Sequence, residues 1–522
     1  MALDKFTKPH ILLILLCLAA FAILAANLTN PLFWDDQYFI LENSYVHSFD
    51  IVNIFTKNAD AGAGIESQYY RPLSILTYAV DWALHQNKPF FYHLVNNLLH
   101  IANGVLLYLL LKKLLEKETL AIFTAAIFLL HPIHTNTIAY VSGRDSLLAA
   151  AFILLTLLLY PKHYLWSHLT FILALLSRET ALVAPILILL TNYKAFHAHL
   201  KKIIPFFAVG AIYLLLRLTV LNFGQTQNLS GIKIPFFERI WTFLGILPQY
   251  LILIFAPNNL HFRVAPPRYA SFFDLPPIVG GAILISLSIV LLYLYKKRKD
   301  EFAVWFLGLG WFFINLSLSS GIAVPLHFSM QEHWLYLPMI GPVVILLYYF
   351  SKLPKFAIWS IISVYLIYLG AYSLKMNRLW ADPIAVWENI LKYEKAPAKL
   401  LNNLGGMYKD KGNVQKASSY WAQAIIQGAD FPEPYYNLAG ILWTNGEIDK
   451  ARQMFDKSIS IDPMHLKSYL NAAGMLGEAG EWNEAKSYLQ RALEISQSPQ
   501  DHDKITQLIK QIENLQKNAK AP

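Results

Sequence analysis

From about residue 9 to Lys375 the chain is a succession of apolar runs, most of them close to the length that crosses a bilayer. A spanning helix needs roughly 20 apolar residues, sometimes as few as about 17. Such runs occupy 9–27, 92–111, 119–137, 145–160, 164–177, 181–193, 203–222, 278–295, 302–321, 338–351 and 356–375. Lipid cannot satisfy backbone N–H and C=O groups, so these runs predict helices. Composition agrees, with 56% hydrophobic and 15% charged residues; soluble proteins average about 25% charged. An ordinary cytosolic enzyme and a disordered chain are therefore excluded. The one cysteine, Cys17, excludes an internal disulfide framework and a cysteine-based zinc site. The net charge of +9 sits mostly in short loops between apolar runs and forms no groove-like stripe, so nucleic acid is not an expected partner.

Those loops set the orientation. Lys112, Lys113 and Lys117 follow the second run, Lys194, Lys201 and Lys202 the sixth, Lys296 to Lys299 the eighth, and Lys352 and Lys355 the tenth. With Lys5 and Lys8 at the start, all fall on one side if the eleven runs cross, and that side should be the cytoplasm. Residues 237–256 are apolar enough to be a twelfth span, but a crossing there would export the run Lys296–Lys299. We therefore expect an in-plane or re-entrant helix on the outer side. Eleven spans place the start inside and the C-terminal part outside; a cytoplasmic C-terminus is the alternative. The first run has an alternative reading as a signal peptide, with Lys5 and Lys8 before it and Ala25-Ala26 after it, although it is long for one.

Composition turns polar near Trp380, which predicts a transmembrane domain at 1–379 and a second domain at 380–522. The second is a repeat. Leu404-Gly405, Ala417, Trp421 and Ala424 recur as Leu438-Ala439, Ala451, Phe455 and Ser458, and again as Ala472-Ala473, Ala485, Leu489 and Ala492. The period is 34 residues, that of tetratricopeptide repeats (TPRs). Units are expected near 398–431, 432–465 and 466–499, with a helix before them at 380–398 and a capping helix at about 501–517. Gly412, Gly446 and Gly480 supply the turns. The fold class expected is all-α, a polytopic transmembrane helical domain of about eleven spans followed by a TPR α-solenoid.

Candidate chemistry lies in the outer loops. The first, about 28–91, opens with Asp35-Asp36 among aromatics; the pair can serve as a general base and a second acceptor or metal ligand, or as a solvated turn. Arg71 comes later in this loop, and the apolar stretch after it carries Asp81. The second run places His93, Asn96 or Asn97, His100 and Asn103 on one helix face, which suits either interhelical hydrogen bonding or a wet site. The next outer loop offers His131 and His134, which have the spacing of metal ligands without a third ligand nearby, and Arg144-Asp145. An arginine at the membrane edge can hold a lipid phosphate by bidentate bonds, or pair with its neighbouring carboxylate. Arg178-Glu179 and Glu332-His333 complete the set. Ionisable groups at four membrane-edge loops on one side fit a substrate with a lipid tail and a polar head.

The ordered segments FWDDQYFI, YYRPLSILTYAVDWAL, FYHLVNNLLHIANGVLLYLLL, HPIHTNTIAYVSGRDSLLAA, SRETALVAPILILL and QEHWLYLP, followed by TPRs, resemble the membrane glycosyltransferases of the GT-C superfamily that carry C-terminal TPRs and are related to the protein O-mannosyltransferases. The resemblance implies a polyprenyl- or dolichyl-phosphate sugar donor, with mannose or another hexose moved with inversion to a protein hydroxyl. It implies Asp35 as base, Asp36 as holder of the acceptor or of a divalent ion such as Mg or Mn, and a phosphate-stabilising role among Arg71, Arg144 and Arg178. His131, His134, Glu332 and His333 are further substrate-binding candidates. One departure is visible: the family reads Glu-Arg where this chain reads Glu332-His333, and a neutral histidine cannot replace a permanent cation.

Two other classes compete. A non-catalytic membrane-anchored TPR scaffold would bind a protein in its concave groove, but needs one span rather than eleven. A transporter or flippase should show paired broken helices, which the sequence does not. The partners expected are the lipid-linked donor, an acceptor protein at the TPR groove and membrane lipid. The location expected is a bacterial inner membrane with the repeats in the periplasm, in preference to the endoplasmic reticulum. Asn27-Leu28-Thr29 and Asn228-Leu229-Ser230 match glycosylation acceptors.

Overall fold

The computed structural model describes residues 9–223, 234–263, 267–326, 329–395, 397–496 and 498–519. Lys5, Lys8 and the Asn228 acceptor motif lie outside them. The chain divides into two compact units, Met1–Val386 and Trp387–Pro522.

The principal helices of the first unit are α1 (Pro9–Leu24), α2 (Pro72–His85), α3 (Pro89–Leu115), α4 (Glu118–Leu130), α5 (Arg144–Leu159), α6 (Tyr164–Ser177), α7 (Ala184–Thr191), α8 (Phe196–Leu218), α9 (Phe236–Phe255), α10 (Leu275–Lys297), α11 (Lys299–Ser317), α12 (Ile340–Phe350) and α13 (Lys355–Leu379). Among the described residues no strand occurs. Proline starts α2 and α3, where its missing N–H costs nothing. Close approach of α11 and α12 depends on Gly308 and Gly341: a Cβ on either would collide with backbone of the other helix.

Among the described residues seven helices can cross a membrane by length and composition, or eight if α4 and the segment Pro132–Ile138, bent by 49°, form one span. The eleven expected runs are all helical, but three are shorter than a full span (Tyr164–Ser177, Glu179–Thr191 and Ile340–Phe350), and α11 carries Asp300 and Glu301 in its first turn.

The helix ends sort onto two faces. On one, the Lys112–Glu118 and Lys352–Glu301 ion pairs, the Lys117 ammonium 4.8 Å from the Tyr348 ring, the Lys113 bonds to the carbonyls of Leu158 and Tyr160, and the Tyr164 bond to the Lys202 carbonyl join the basic loops. On the other lie Asn27, Asp36, Arg71, His93, Ser142, Arg178 and Asn377. The segment α9 touches this second face along its length. Arg239 reaches the Ala323 carbonyl, Tyr250 receives the Gln331 N–H, and the Ile254 carbonyl pairs with His131. Though long enough to cross, α9 starts and ends beside loops of the same face.

The polar stripe of α3 binds helices together. Asn97 and Asn27 exchange amide hydrogen bonds at 3.0 and 3.1 Å, and Asn27 also reaches Asn377 of α13 at 3.0 Å. His93 pairs with the Asn30 carbonyl. His100 and Asn103 both reach the Tyr336 hydroxyl, at 2.8 and 3.1 Å. Every member is buried and partnered inside the protein, so the interhelical reading of this stripe holds and the wet-site reading does not. Asn27 is likewise buried, which removes it as a glycosylation acceptor.

In the second unit three helical hairpins, α14–α15 (Ala398–Asp410, Val414–Ile426), α16–α17 (Glu433–Thr444, Ile448–Ile461) and α18–α19 (Leu466–Glu478, Trp482–Ile495), precede α20 (Pro499–Ala519). The small residues are where the helices touch: a Cβ on Gly405 would collide with the Trp421 indole, and Ala439, Ala451, Ala472 and Ala485 are fully buried. Each hairpin turns on a glycine in the left-handed region, Gly412, Gly446 and Gly480, with φ of +77°, +80° and +83°. Ile505 and Ile512 pack α20 onto the last hairpin while its other side stays polar, as a cap requires.

Candidate functional site

The site grows from a turn. Trp34 adopts φ +63°, a region a bulky L-residue seldom enters. Its ring is held 4.6 Å from Phe262 and 6.1 Å from Tyr140. The reversal sends the two carboxylates after it in different directions. Asp36 points inward: it accepts the Ser142 N–H at 2.8 Å, the Ser142 hydroxyl, and the Phe33 N–H at 3.3 Å. Burial pushes its carboxyl up to about 7. With its oxygens committed, Asp36 ties the first outer loop to the 140–144 turn and is not placed to hold an acceptor or an ion. Asp35 stays open to solvent at its edge, and its N–H donates to the Tyr140 hydroxyl at 2.9 Å. Surrounding protein raises its carboxyl above the usual range, against the opposing effects of Tyr140 and the Arg71 charge.

Beside this turn is a guanidinium pair. Asp145 lies between Arg71 at 2.6 Å and Arg178 at 3.4 Å. Arg178 also contacts the Ser146 hydroxyl. The Nε–H groups of Arg71 and Arg178 are buried without an acceptor. Glu179 and Asp60 also act on Arg71, so the two guanidiniums sit among several carboxylates with these Nε–H groups still to be satisfied. Arg144 differs. It is fully buried, paired with Asp81 at 2.6 Å and not with Asp145, and bonded to Asn96 at 2.9 Å, Thr77 at 3.2 Å and the Tyr92 carbonyl at 3.0 Å. It has no face left for a phosphate.

A small cleft opens at Arg178. Ser146, Thr180 and His333 line it with Arg178, and Ala149, Ile153 and Leu337 give it an apolar wall. His333 is neutral: burial and the nearby Arg178 and Arg71 charges hold it down to about 3. It therefore offers hydrogen bonding but no cation. Glu332 is turned the other way, accepting from Asn136 at 2.9 Å and from the His261 N–H at 3.0 Å, and so ties three outer loops.

The two remaining candidates are buried and are not among the residues lining the cleft. His131 accepts the Ile133 N–H and pairs with the Ile254 carbonyl at 3.0 Å. His134 is buried between the rings of Phe128 and Tyr336, 4.6 Å from each. Among the described residues no three His, Cys, Asp or Glu side chains converge on one point. Sequence reasoning missed Tyr140, which joins the acidic turn to Trp380. It also missed Asp60, a buried carboxyl raised to about 6 whose neighbours include Asp35 and Arg71. Neither sits in a local pattern that marks it.

These features define a polytopic helical membrane protein with a charged cleft on one face and a TPR array. Models of the tetratricopeptide repeat match residues 432–465 and 465–498. Over 463 residues the chain is 23% identical to "Protein O-mannosyl-transferase TMTC3" of Mus musculus, covering 77% of this chain and 50% of that protein. It is 25% identical over 431 residues to "Protein O-mannosyl-transferase F38B6.6" of Caenorhabditis elegans, covering 78% and 62%. It is 29% identical over 296 residues to "Protein O-mannosyl-transferase Tmtc2" of Drosophila melanogaster, covering 49% and 31%. The chain spans about half to three-fifths of the length of the first two relatives. The motif-level resemblance to TPR-bearing relatives of the protein O-mannosyltransferases is thus found across most of the chain. These relatives are animal proteins, so the expected preference for a bacterial periplasm has no support.

Proposed function

We propose that this chain is a membrane glycosyltransferase that moves a mannosyl or other hexosyl group from a polyprenyl- or dolichyl-phosphate to a protein hydroxyl. The observation that carries this reading is the meeting of an accessible carboxylate, Asp35, with the Arg71–Asp145–Arg178 cluster, whose Arg178 lines a cleft with an apolar wall. A carboxylate flanking a guanidinium pair suits inverting transfer. Asp35 takes the acceptor hydroxyl proton as that oxygen bonds to the anomeric carbon from one side. The bond to the phosphate oxygen breaks on the other side, and the leaving phosphate keeps the electron pair. Arg178, with Arg71 behind it, stabilises the charge that develops there. The lipid chain leaves along Ala149, Ile153 and Leu337.

The face carrying Asp35 is outward, opposite the basic loops. Eleven crossings with α9 lying along the outer face give this arrangement. An odd number of crossings leaves the repeats on the outward side, where they select or present the acceptor protein. The outward compartment is an endoplasmic-reticulum lumen or its topological equivalent.

The test is transfer from a radiolabelled polyprenyl-phosphate sugar to mixed cell-extract protein by purified full chain. Label should move to protein, and Asp35→Asn should abolish transfer while still binding donor lipid. No transfer by folded wild type with any of several lipid-phosphate sugars would refute the proposal. It would point instead to a non-catalytic scaffold, for which a pull-down on the TPR array is the next measurement.

A further inference from the structure

A second, shallow recess opens on the site face next to the cleft. Asn315 and Ser319 line the cleft, while Ser320 and Gly321 of the same turn line this recess. Its other walls include Arg239, Arg268, Thr242 and Ser329. Arg239 donates to the Ala323 carbonyl at 3.5 Å and lies 5.3 Å from the Phe236 ring, but its buried Nε–H has no acceptor. The Thr242 hydroxyl accepts the Tyr269 N–H at 3.0 Å, which leaves its own proton to give. No carboxylate is among the described residues lining this recess. Arg239 brings a buried Nε–H that lacks an acceptor, Arg268 stands on the same wall, and the planar fork of arginine suits phosphate oxygens.

The rim says what carries the anion. Phe236, Phe237, Phe273 and Leu275 are exposed around the ends of α9 and α10, and Trp241 stacks between Phe237 and Phe272. Exposed aromatics gathered at helix ends mark the membrane–water interface, where lipid headgroups lie. A soluble anion has no use for such a rim. We propose that this recess binds the phosphate of a lipid headgroup, with Arg239 and Arg268 on its oxygens and the chains against Phe236, Phe237 and Leu275. The phosphate belongs either to a resident anionic phospholipid or to a polyprenyl phosphate, and the lipid site itself stands independently of the transferase reading.

The experiment is native mass spectrometry of the delipidated full chain in detergent. Phosphatidylglycerol, phosphatidylcholine and polyprenyl phosphate are titrated separately, then the two anionic lipids in competition. We expect one retained anionic lipid per chain and at least tenfold lower retention in Arg239→Gln/Arg268→Gln, with Lys112→Gln/Lys113→Gln as a control that keeps it. Because the arginine variant could disturb folding, Phe273→Ser provides a second probe: this side chain is 85% exposed, so its loss leaves the core intact. It should weaken lipid retention while leaving the melting temperature unchanged. Preference for polyprenyl phosphate over phosphatidylglycerol assigns the site to the carrier lipid, and the reverse to a resident phospholipid. Retention unchanged in a folded arginine variant would overturn the site. Equal retention of phosphatidylcholine, or stabilisation by inorganic phosphate that Phe273→Ser does not alter while no lipid is retained, would overturn its assignment to an anionic lipid.

Discussion

Asp35 and Asp36 are adjacent in sequence, yet one faces solvent and the other is locked by three donors, and substitution should separate them. Asp35→Asn removes the proposed base and should lower transfer on the order of 100- to 10,000-fold. Its melting temperature should move little, because the amide can still accept from the Tyr140 hydroxyl and the side chain lies at the solvent edge. Asp36→Ala strands the Ser142 and Phe33 donors, and each buried group left unpaired costs about 1–3 kcal/mol. Its melting temperature should fall by several degrees while the protein that stays folded keeps transferring. Equal kinetic loss in both variants at unchanged melting would contradict the assignment. The pH dependence follows from the same geometry. A base must be ionised, and the Asp35 carboxyl is held above its usual range, so transfer should fall on acidification at a pH above the ordinary carboxylate value of about 4. The Tyr140 hydroxyl opposes that rise. Tyr140→Phe should therefore move the acid limb to still higher pH, read from initial rates at saturating donor. An acid limb that stays in place would remove Tyr140 from contact with the base. Among the arginines, Arg178→Gln should raise the donor KM and lower kcat, whereas Arg144→Gln should chiefly lower stability, because Arg144 touches only protein.

At the scale of helices and loops the apolar runs were legible because lipid leaves the backbone few alternatives. The TPR hairpins were legible because Gly405, Ala439 and Ala473 recur at a fixed period where helices touch. The polar face of α3 was visible as a face, but its purpose was not: periodicity shows that His93, Asn97 and His100 align, and only the fold shows that Asn27, Asn30 and Tyr336 stand opposite. The same limit governed the arginines. Arg144 and Arg178 look alike in sequence, and what separates them is Asp81, which lies far from both along the chain and pairs with only one. Tyr140 and Asp60 gave no signal, because a tyrosine or a loop aspartate acquires meaning from partners brought together by folding. Asn97→Leu tests the α3 reading. It deletes the exchange with Asn27 and should destabilise the first unit by about 1–3 kcal/mol through the unpaired amide, less if Asn377 compensates. Donor KM should not change. A selective rise in donor KM without loss of melting temperature would instead make this stripe part of the binding site.

On the scale of the whole molecule the orientation rests on α9. If α9 crossed the bilayer, everything after it would change sides, and Lys296 to Lys299 would face outward against the positive-inside tendency. The contacts of α9 argue otherwise, since Arg239, Tyr250 and Ile254 all meet loops of the face that carries Asp35. The question is open to direct measurement, because Cys17 is the single cysteine. In a Cys17→Ala background, cysteines replace Glu66, Phe273, Lys112 or Lys297, each exposed. Sealed vesicles of known orientation are treated with a membrane-impermeant maleimide. Glu66→Cys and Phe273→Cys should label from the outward side, and Lys112→Cys and Lys297→Cys only after permeabilisation. A spanning α9 predicts a different pattern: Glu66→Cys and Lys112→Cys keep their sides, while Phe273→Cys and Lys297→Cys exchange theirs. That exchange would place the Phe273 rim and the Asp35 turn on opposite sides of the membrane, which the loops joining them at Ser329, Gln331 and His261 could not accommodate.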